Sequence, residues 1–574
     1  MRKLILPVPT TLHDFCTKAR ARTGSIAIYI GVFVSAILGA VWVHRLNLQS
    51  LSYPWRVVDS DLSGQYSLAQ ASGQSWFGLA NHSLGAPFTA DWSFAQTADL
   101  LHIEVIRILT HLIHEPFAAV NFSYILTFGL SAITFLFLTD QFKISRWISA
   151  PLSLSYSWLP YHFTRMDVGH VSLAAYYMIP IGIIYLHRLF EYLTDSRDLF
   201  PPRTWTRRFA FLIGMVAVGS SGAYYGLFFA LLAATMIILV PQKSRTVSQV
   251  IKCSAEVCVA SFMFILAPLL RVVITQYRGF EATLTRSPEE SVQFGGSISR
   301  LFVPWGTWLP EKMLPLVSKM EFEWNASPLL GVIGVWILVL GIFTALAKND
   351  SKNTRNSLNF IFLWALLFYV SSGLSLVFAY AIDPSFRAWN RLSIVIMTIA
   401  LLALAKFLSR VKFSNFCTSV LLVVVAITTQ LAPLQGAGIG IEPDETSKNA
   451  FASLQTVAAF IQTEIEPGCR ILQLPIMAFP EGGQIGQVGN GNHLWLPLLT
   501  DGFHWSYGAT KGSLAGDYWT RLKSGPVEAI AQKAFDDSFC AILWDRRSGE
   551  DFNSSNLSPY ISSKTIGEYV LFTL

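Results

Sequence analysis

The chain has 574 residues, of which 52% are hydrophobic and only 14% are charged, and its formal net charge is +6. Soluble domains carry roughly 25% charged residues, so this composition excludes an ordinary soluble protein and predicts a membrane protein. A nucleic-acid-binding role is excluded as well, because no basic cluster is interleaved with aromatic residues on a polar face.

The predicted elements begin with a basic, polar N-terminal segment, 1–24, that precedes an apolar run at about 25–43. This run is long enough to cross a bilayer, so we predict a signal anchor rather than a cleaved signal peptide. Ten further apolar runs predict spans, at about 117–139, 147–160, 171–187, 208–220, 222–240, 251–275, 327–347, 357–380, 392–409 and 415–432. The sequence thus predicts an α-helical membrane domain over 25–432 with about eleven spans among membrane lipids. The runs at 147–160 and 208–220 are short, so each is either a tilted span or a broken or re-entrant segment, and the count is eleven to within one or two.

The distribution of Lys and Arg predicts the orientation of these spans. Both residue types are concentrated in the segments that would share one side with the N-terminus, and cytoplasmic loops carry such an excess. We therefore predict a cytoplasmic N-terminus in a bacterial inner membrane. Two long loops, at about 44–116 and 276–326, are then periplasmic, and so is the C-terminal segment.

Residues 433–574 differ from the membrane domain, because their apolar runs are short and separated by charged residues. The stretch TVAAFIQTEI predicts an amphipathic helix, and CRILQLPIM and FCAILWD predict buried strands. We predict a small periplasmic α/β domain of about 140 residues. Cys469 and Cys540 both lie in it, and either one disulfide or two free buried cysteines fits the sequence.

Acidic residues follow the first span, in the stretch from Asp59 to His102. Asp59 and Asp61 are candidate catalytic carboxylates: one would act as a general base on an acceptor hydroxyl. The other would orient that hydroxyl or bind a divalent cation such as Mg²⁺ or Mn²⁺. The alternative is helix capping, because Asp59, Ser60 or Asp61 can cap a helix that begins at Leu62.

Arginine and histidine residues gather in other loops on the same predicted side of the membrane. Guanidinium groups form bidentate pairs with phosphate, so Arg165, Arg387 and Arg391 are candidate phosphate ligands. Arg387 and Arg391 are four residues apart and would share one helix face. His170 would meet a phosphate or a sugar hydroxyl. The alternatives are interfacial anchoring or surface ion pairs for the arginines, and a backbone hydrogen bond for His170.

The remaining motifs restrict the chemistry. The stretch NHSLGAPF (81–88) predicts a turn lying on the membrane rather than a phosphate loop, and GxxxxGK[ST], GxSxG and HExxH are absent. His162 and His170 are eight residues apart without a clear third ligand, so a zinc site is not expected. Glu323 stands directly before a span and is a second candidate for a catalytic or metal-binding carboxylate.

Several segments together resemble one known group of proteins. They are SDLSGQY, NHSLGAPF, DW (91–92), ADLLH, LPYHFTR, GH and FRAWNR, with FHWSYGATKG and WDRR in the tail. With the many spans, the long acidic first loop and the C-terminal domain, the chain is similar to the GT-C superfamily of integral-membrane glycosyltransferases. It most resembles a poorly characterised bacterial, YfhO-like branch, and the resemblance runs along most of the chain.

This resemblance implies a function and roles for the residues. The acidic residue of the first outer loop is the general base in that superfamily, so the role falls on Asp61, with Asp59 as its partner. An inverting hexosyl- or pentosyltransferase is implied, with a polyprenyl-phosphate-linked sugar as donor and a cell-envelope glycan or lipid as acceptor. Some members need a divalent cation and others do not. Residues expected near the acceptor or around the base are Asp91, Asp99, His102, His162 and Glu323.

Two other functions remain open on the sequence. A transporter or flippase of a lipid-linked saccharide would have ionisable residues within its spans and paired broken helices, whereas the predicted spans carry almost no charge. A non-catalytic envelope-assembly protein would bind a partner or polymer through the tail. There HWSYGATKG and WLPLL offer side chains that either stack on carbohydrate or form the core of the domain.

Overall fold

The computed structural model is mostly α-helical, with a small sheet domain at the C-terminal end of the chain. It describes residues 12–57, 61–74, 80–92, 99–195, 205–240, 262, 266, 286–304, 327–347, 356–411, 414–436, 445–480, 482–489, 491–523, 525–550 and 562–573. The predicted span at 251–275 therefore lies almost entirely outside the described residues.

The described helices of eight residues or more are α1 (Leu12–His44), α2 (Leu62–Gln74), α3 (Leu100–Ile113), α4 (Pro116–Gln141), α5 (Arg146–Ser157), α6 (Pro160–Asp167), α7 (Ile179–Asp195), α8 (Trp205–Gly219), α9 (Ala223–Leu239), α10 (Leu329–Ala347), α11 (Ser357–Tyr369), α12 (Leu374–Ala381), α13 (Ser393–Leu408), α14 (Asn415–Ala426), α15 (Glu445–Glu464), α16 (Leu514–Leu522) and α17 (Val527–Asp536). Shorter helical turns are Leu48–Leu51, Val171–Ala174, Glu290–Gln293, Ile298–Phe302, Ala432–Gly436 and Trp495–Leu499. The strands are β1 (Ala80–Asn81), β2 (Ala90–Asp91), β3 (Arg470–Leu474), β4 (His504–Trp505), β5 (Ala541–Asp545), β6 (Ser562–Ile566) and β7 (Tyr569–Thr573).

Apolar helices make this chain a multi-pass membrane protein. Within the described residues, 5 helices are long and apolar enough to cross a bilayer, and α8 with α9 would form a sixth span that is bent by 119°. The five are Ile26–His44, Pro116–Gln141, Leu329–Ala347, Trp389–Leu408 and Asn415–Gly436. Each of them overlaps a predicted span.

Two predicted spans differ from the structure. The span expected at 147–160 is the 12-residue helix α5, which is too short to cross a bilayer alone, since about 20 residues are needed. The helix ends because Leu159 precedes Pro160 and adopts an extended ψ of 135°, as residues before proline tend to do. The span expected at 171–187 is also wrong in its bounds, because α7 begins at Ile179.

The start of α4 marks the end of the long first loop. The Glu115 carboxylate accepts hydrogen bonds from the backbone N–H of Phe117, at 3.0 Å, and of Ala118. Pro116 occupies the first helical position, where its missing N–H costs nothing. From this capped end α4 runs through the core of the helical domain, where Phe128, Phe135 and Leu136 are fully buried.

The C-terminal domain is built on a five-stranded sheet of order β4-β3-β5-β7-β6. Strands β4, β3 and β5 are parallel, and β7 pairs antiparallel with both β5 and β6. The predicted amphipathic helix lies within α15, and the two predicted strands are β3 and β5. These secondary-structure predictions are confirmed.

A segment of the first loop, residues 80–92, docks on this domain; we call it the first-loop arm. Its backbone pairs with the free edge of β4: Trp505 N–H donates to the Ser83 carbonyl at 2.8 Å, and Ala86 N–H donates to the Trp505 carbonyl at 3.0 Å. Trp519 Nε1 donates to the Ala86 carbonyl at 2.6 Å. The stretch NHSLGAPF forms turns, as predicted, and its backbone pairs with an open strand edge of the C-terminal domain. Its predicted place on the membrane stays a prediction.

A disulfide joins Cys469 to Cys540, whose Cα atoms are 5.8 Å apart. Of the two alternatives that the sequence left open, the structure therefore has the bonded one. Cys469 directly precedes β3 and Cys540 directly precedes β5, so the bond holds the starts of these neighbouring parallel strands together.

We expect Cys540→Ser to lower the free energy of unfolding of the C-terminal domain by about 2–4 kcal/mol, because the bond closes a long loop of the unfolded chain. Thermal and denaturant unfolding without reductant measure the change. Cys417→Ser is the control, since Cys417 is an exposed free thiol, and it should not alter stability. Equal stability of Cys540→Ser and the unaltered protein would contradict this role.

Candidate active site

Asp61 directly precedes α2, and its side chain contacts the loop that carries His170. Its side chain is 65% exposed, and its carboxylate Oδ2 lies 3.3 Å from Nε2 of His170. The Asp61 backbone N–H donates to the Val168 carbonyl at 3.3 Å, which ties the two loops together. Among the described residues, His170 is the partner of the carboxylate, so Asp61 does not act as the side-chain cap of α2.

The loop that carries His170 is shaped by the end of α6. Gly169 follows the helix with a φ of +83°, a left-handed conformation that reverses the chain at little cost only for glycine. The His170 N–H then returns to the Arg165 carbonyl at 2.8 Å. An ion pair between Arg56 and Asp167 holds the other side of this turn. Both features direct the imidazole toward Asp61.

Asp61 and His170 line a cavity of about 660 Å³ between the helical domain and the C-terminal domain. On the helical side its wall is completed by Val57 and Val168. The opposite wall consists of Ala450, Ser453, Leu454, Gln484, Gln487, Gly489, Gly491, Asn492, Trp495, Arg547, Glu568 and Tyr569. A cavity of this size between two domains is the usual setting of a ligand site.

The C-terminal wall approaches the helix that follows Asp61 very closely. A Cβ on Gly491, whose φ is +84°, would lie 2.6 Å from the hydroxyl oxygen of Ser63 in the first turn of α2. Glycine is therefore required there for both conformation and space.

Arg165 and Arg391 each stack on a tyrosine ring near the break between α8 and α9. The guanidinium of Arg165 stacks on the Tyr161 ring at 4.7 Å, and that of Arg391 stacks on Tyr224 at 4.2 Å. The two stacks are neighbours, because the Tyr161 and Tyr225 hydroxyls share a hydrogen bond of 3.0 Å and Tyr225 follows Tyr224 in α9. The backbone bond from His170 to Arg165 makes this cationic group a neighbour of the Asp61 site.

Arg387 is separate from that pair, so the expected shared helix face is wrong. Arg387 stacks on Phe294 at 4.5 Å and forms an ion pair with Glu290. It precedes the 3-10 helix Trp389–Leu392, which contains Arg391. The four-residue spacing therefore does not correspond to one α-helical turn.

The residues expected near the acceptor are placed in different surroundings. His162 is a core residue, stacked on Phe128 at 3.6 Å and bonded to Thr127 at 2.7 Å. His102 is buried in α3, and burial lowers its pKa to about 4. Neither histidine lines the cavity, so the structure does not place them at the candidate site, and their expected role near the acceptor or around the base stays a prediction.

Asp91 and Asp99 do not line the cavity either. Asp91 belongs to β2 in the first-loop arm, and its carbonyl accepts a hydrogen bond from Thr510 at 3.4 Å. Asp99 precedes α3, and its Oδ1 lies 3.5 Å from where a Cβ on Gly222 would stand, at the break between α8 and α9. Asp99 is therefore on the side of the cationic group. Asp59 and Glu323 lie outside the described residues.

Solved structures give the decisive comparison, since no protein-family model matches the chain and no curated protein is similar to it in sequence. ArnT from Cupriavidus metallidurans bound to undecaprenyl phosphate superposes with a TM-score of 0.51 at 11% identity, over 96% of this chain and 98% of that one. This chain has the GT-C fold. The apo oligosaccharyltransferase of Archaeoglobus fulgidus is similar with a TM-score of 0.49 at 11% identity, over 90% and 69% of the two chains. Its complex with Zn and sulfate gives 0.47 at 10% identity, over 90% and 68%.

A divalent cation finds few ligands in this GT-C fold. Among the described residues, no group of three or more His, Cys, Asp or Glu side chains is arranged to hold a metal ion. Asp61 with His170 alone does not fit the six to eight oxygen ligands of Ca²⁺ or the octahedral preference of Mg²⁺. Asp59, the second expected ligand, lies outside the described residues, so the expected cation stays a prediction.

Sequence reasoning missed the polar groups that the C-terminal domain adds to this GT-C fold. Arg547 donates to Asp545 through Nε at 2.9 Å and through Nη2 at 2.6 Å, and Nη2 also donates to the Tyr569 hydroxyl at 2.9 Å. These bonds to Asp545 raise the pKa of Arg547. The only local signal was the WDRR stretch, whose aspartate ends a buried strand and whose second arginine follows two residues later.

Proposed function

We propose that this chain is an inverting glycosyltransferase of the bacterial inner membrane, which moves a sugar from a polyprenyl-phosphate donor to an envelope glycan or lipid. The observation that supports it most is the exposed Asp61 carboxylate in the wall of a cavity of about 660 Å³, in a chain with the GT-C fold. The similar structure of ArnT contains undecaprenyl phosphate, and this supports a polyprenyl-phosphate donor here.

The chemistry requires one base and a leaving group. Asp61 accepts the proton of an acceptor hydroxyl while the hydroxyl oxygen attacks the anomeric carbon of the donor. The bond between that carbon and the phosphate oxygen breaks, its electron pair leaves with the polyprenyl phosphate, and the anomeric configuration inverts. His170, 3.3 Å from the carboxylate, orients Asp61 for this transfer.

The cationic group next to this site is suited to the donor phosphate. Arg165 and Arg391 bring two positive charges to the neighbourhood of Tyr225, close to the loop of His170. Fixed positive charges stabilise the charge that develops on the leaving phosphate, and they act more strongly in a site that excludes water. Arg387, paired with Glu290, contributes less to this site.

The test uses purified protein in nanodiscs with labelled polyprenyl-phosphate sugars and envelope glycan fractions. Free polyprenyl phosphate and a new glycosidic bond of inverted configuration, identified by NMR, are the expected products. Translocation of the intact donor across proteoliposomes without a new bond would refute the proposal and favour a transporter.

A periplasmic location of the C-terminal domain accompanies this function. The Cys469–Cys540 disulfide supports it, because such bonds persist in oxidising compartments such as the bacterial periplasm. The excess of Lys and Arg in segments on the side of the N-terminus supports the same orientation. A C-terminal alkaline phosphatase fusion should be active in cells, and an inactive fusion of full length would contradict this orientation.

We expect His170→Ala to lower kcat for sugar transfer about 10²-fold, because a carboxylate that is misplaced by about 1 Å loses a factor of this size. KM for the donor should change much less, since His170 is assigned to the base. The control is His82→Ala, which alters an exposed side chain. A change confined to KM would instead place His170 at the donor phosphate.

A further inference from the structure

The cavity wall opposite Asp61 contains the guanidinium group of Arg547, which a buried carboxylate holds in place. Asp545, which binds Arg547 through both carboxylate oxygens, is 1% exposed, whereas the Arg547 side chain is 29% exposed toward the cavity. Nε and Nη2 are used in the bonds to Asp545 and Tyr569. Among the described residues nothing accepts a bond from Nη1, so its two N–H groups remain available to a ligand.

The backbone around Arg547 is equally constrained. The Gln487 N–H donates to the Arg547 carbonyl at 2.8 Å, and Ile485 and Val488 close a tight turn through bonds of 3.0 Å and 2.9 Å. A Cβ on Gly486 would lie 2.3 Å from the Ser548 carbonyl oxygen, so the turn rests directly on the chain that follows Arg547. The backbones of Gln487 and Arg547 therefore keep one relative position, which lowers the entropic cost of binding a ligand between the two residues.

The charges of the cavity disfavour an anionic ligand. Asp61 and Glu568 supply two carboxylates to its lining, and the positive charge of Arg547 is already matched by buried Asp545. His170 is paired with Asp61. Among the described lining residues, a phosphate or carboxylate in this space would meet the carboxylates of Asp61 and Glu568, while Arg547 already has a carboxylate partner. Like charges in a partly buried site repel one another.

Neutral polar groups make up much of the remaining wall. Ser453, Gln484, Gln487 and Asn492 supply hydroxyl and amide groups, each of which can donate and accept hydrogen bonds. Sugar hydroxyls both donate and accept as well, so a polyol can satisfy these groups without bringing in charge. An acyl chain would instead leave them without partners, which costs about 1–3 kcal/mol for each buried group.

We propose that Arg547 determines acceptor specificity and that the acceptor is an uncharged, hydroxyl-rich glycan. This inference rests on the proposed glycosyltransferase function and selects a neutral glycan from its two acceptor classes. Nη1 of Arg547 donates to a sugar hydroxyl, and the amide of Gln487 binds the same sugar. The glycan is then held across the cavity with a reacting hydroxyl toward Asp61.

The test measures glycan binding directly, without donor, so that it is independent of catalysis. The full-length protein in nanodiscs is titrated with neutral oligosaccharides and with matched oligosaccharides that carry a carboxylate or a phosphate. We expect neutral glycans to bind at least about tenfold more tightly, and Arg547→Lys to weaken their binding by about tenfold, the value of one lost hydrogen bond. Lys keeps a positive charge beside Asp545, and the melting temperature checks that the domain stays folded.

Arg546→Lys is the matched control, because Arg546 is the exposed neighbour and does not line the cavity. Glu568→Gln is a second variant, which leaves Arg547 intact. Because it removes the negative charge of Glu568, it should reduce the ratio between the affinities for neutral and for carboxylated glycans. Equal effects of the two Arg→Lys variants, tighter binding of charged glycans, an unchanged preference in Glu568→Gln, or the absence of any glycan binding would each overturn the inference.

The outcomes also separate this inference from the proposed function. Glycan binding as expected, with no transfer from any polyprenyl-phosphate donor, refutes the transferase and leaves the glycan site in place. Transfer to a charged or lipid acceptor with full activity in Arg547→Lys retains the transferase and refutes the role of Arg547.

Discussion

Asp61→Asn is expected to lower kcat/KM for sugar transfer by about 10²–10⁴-fold, the usual contribution of a general base. The amide has nearly the same shape as the carboxylate but cannot take up the proton of the acceptor hydroxyl. Because the side chain is mostly exposed, the protein should fold, insert and melt like the unaltered one. The transfer rate is measured as the release of polyprenyl phosphate from the donor that the unaltered protein uses.

The control for this substitution is Asp501→Asn, which makes the same chemical change at an exposed position of the C-terminal domain away from the cavity. It should retain full activity. Asp59→Asn is measured in parallel, singly and with Asp61→Asn, because Asp59 was the other candidate base. Full activity in both single variants and in the double variant would remove this pair from the mechanism.

Trp92→Ala is expected to weaken the docking of the first-loop arm by about 3–5 kcal/mol, the usual loss for a buried tryptophan. Trp92 stacks on Phe479 with ring centroids 4.8 Å apart, and its Nε1 donates to the Gly508 carbonyl at 2.7 Å. Faster proteolysis of residues 80–92 and a lower melting temperature report the loss. Transfer activity should fall too, since the C-terminal wall of the cavity is held partly through this arm.

Two further substitutions bracket the effect of Trp92→Ala. Trp92→Phe keeps an aromatic ring on Phe479 but loses the hydrogen bond, so it should cost only about 1 kcal/mol. Phe535→Ala removes an aromatic ring that is 62% exposed on the same domain and should change stability by less than about 0.5 kcal/mol. If Trp92→Ala were no more damaging than Phe535→Ala, the arm would not hold the domain.

Local patterns predicted the fold class well and the individual spans less well. Hydropathy is a property of short windows, so α1, α4, α10, α13 and α14 were found, and the resemblance of short motifs correctly indicated the GT-C fold. The run at 147–160 was predicted as a short span that could be tilted, broken or re-entrant, and it is the 12-residue helix α5, which ends just before Pro160. A hydropathy window averages the apolar character of the side chains, so it does not show where a proline lacks the backbone N–H that an α-helix needs.

The candidate site was predictable residue by residue but not as an arrangement. Asp61 and His170 were both singled out, yet their 3.3 Å contact depends on the left-handed turn at Gly169. Arg547 was missed, because its exposure to the cavity depends on the packing of two domains and not on any local pattern. His162 was placed near the acceptor because the local sequence, a histidine among aromatic residues, is the same for a buried histidine and for one that lines a cavity. In the structure it is stacked on a core phenylalanine.

The pairing of the first-loop arm with β4 has a consequence for synthesis of the chain. His82 in the arm bonds to His504, and the two are 422 residues apart in sequence. At about 5–20 residues per second, the arm leaves the ribosome roughly 20 to 80 s before its partner strand exists. During this interval β1 and β2 can pair with each other, but the backbone groups of the arm that later bond to β4 have no partner strand while later helices insert. Truncated chains that end before His504 would keep the arm in this vulnerable state permanently.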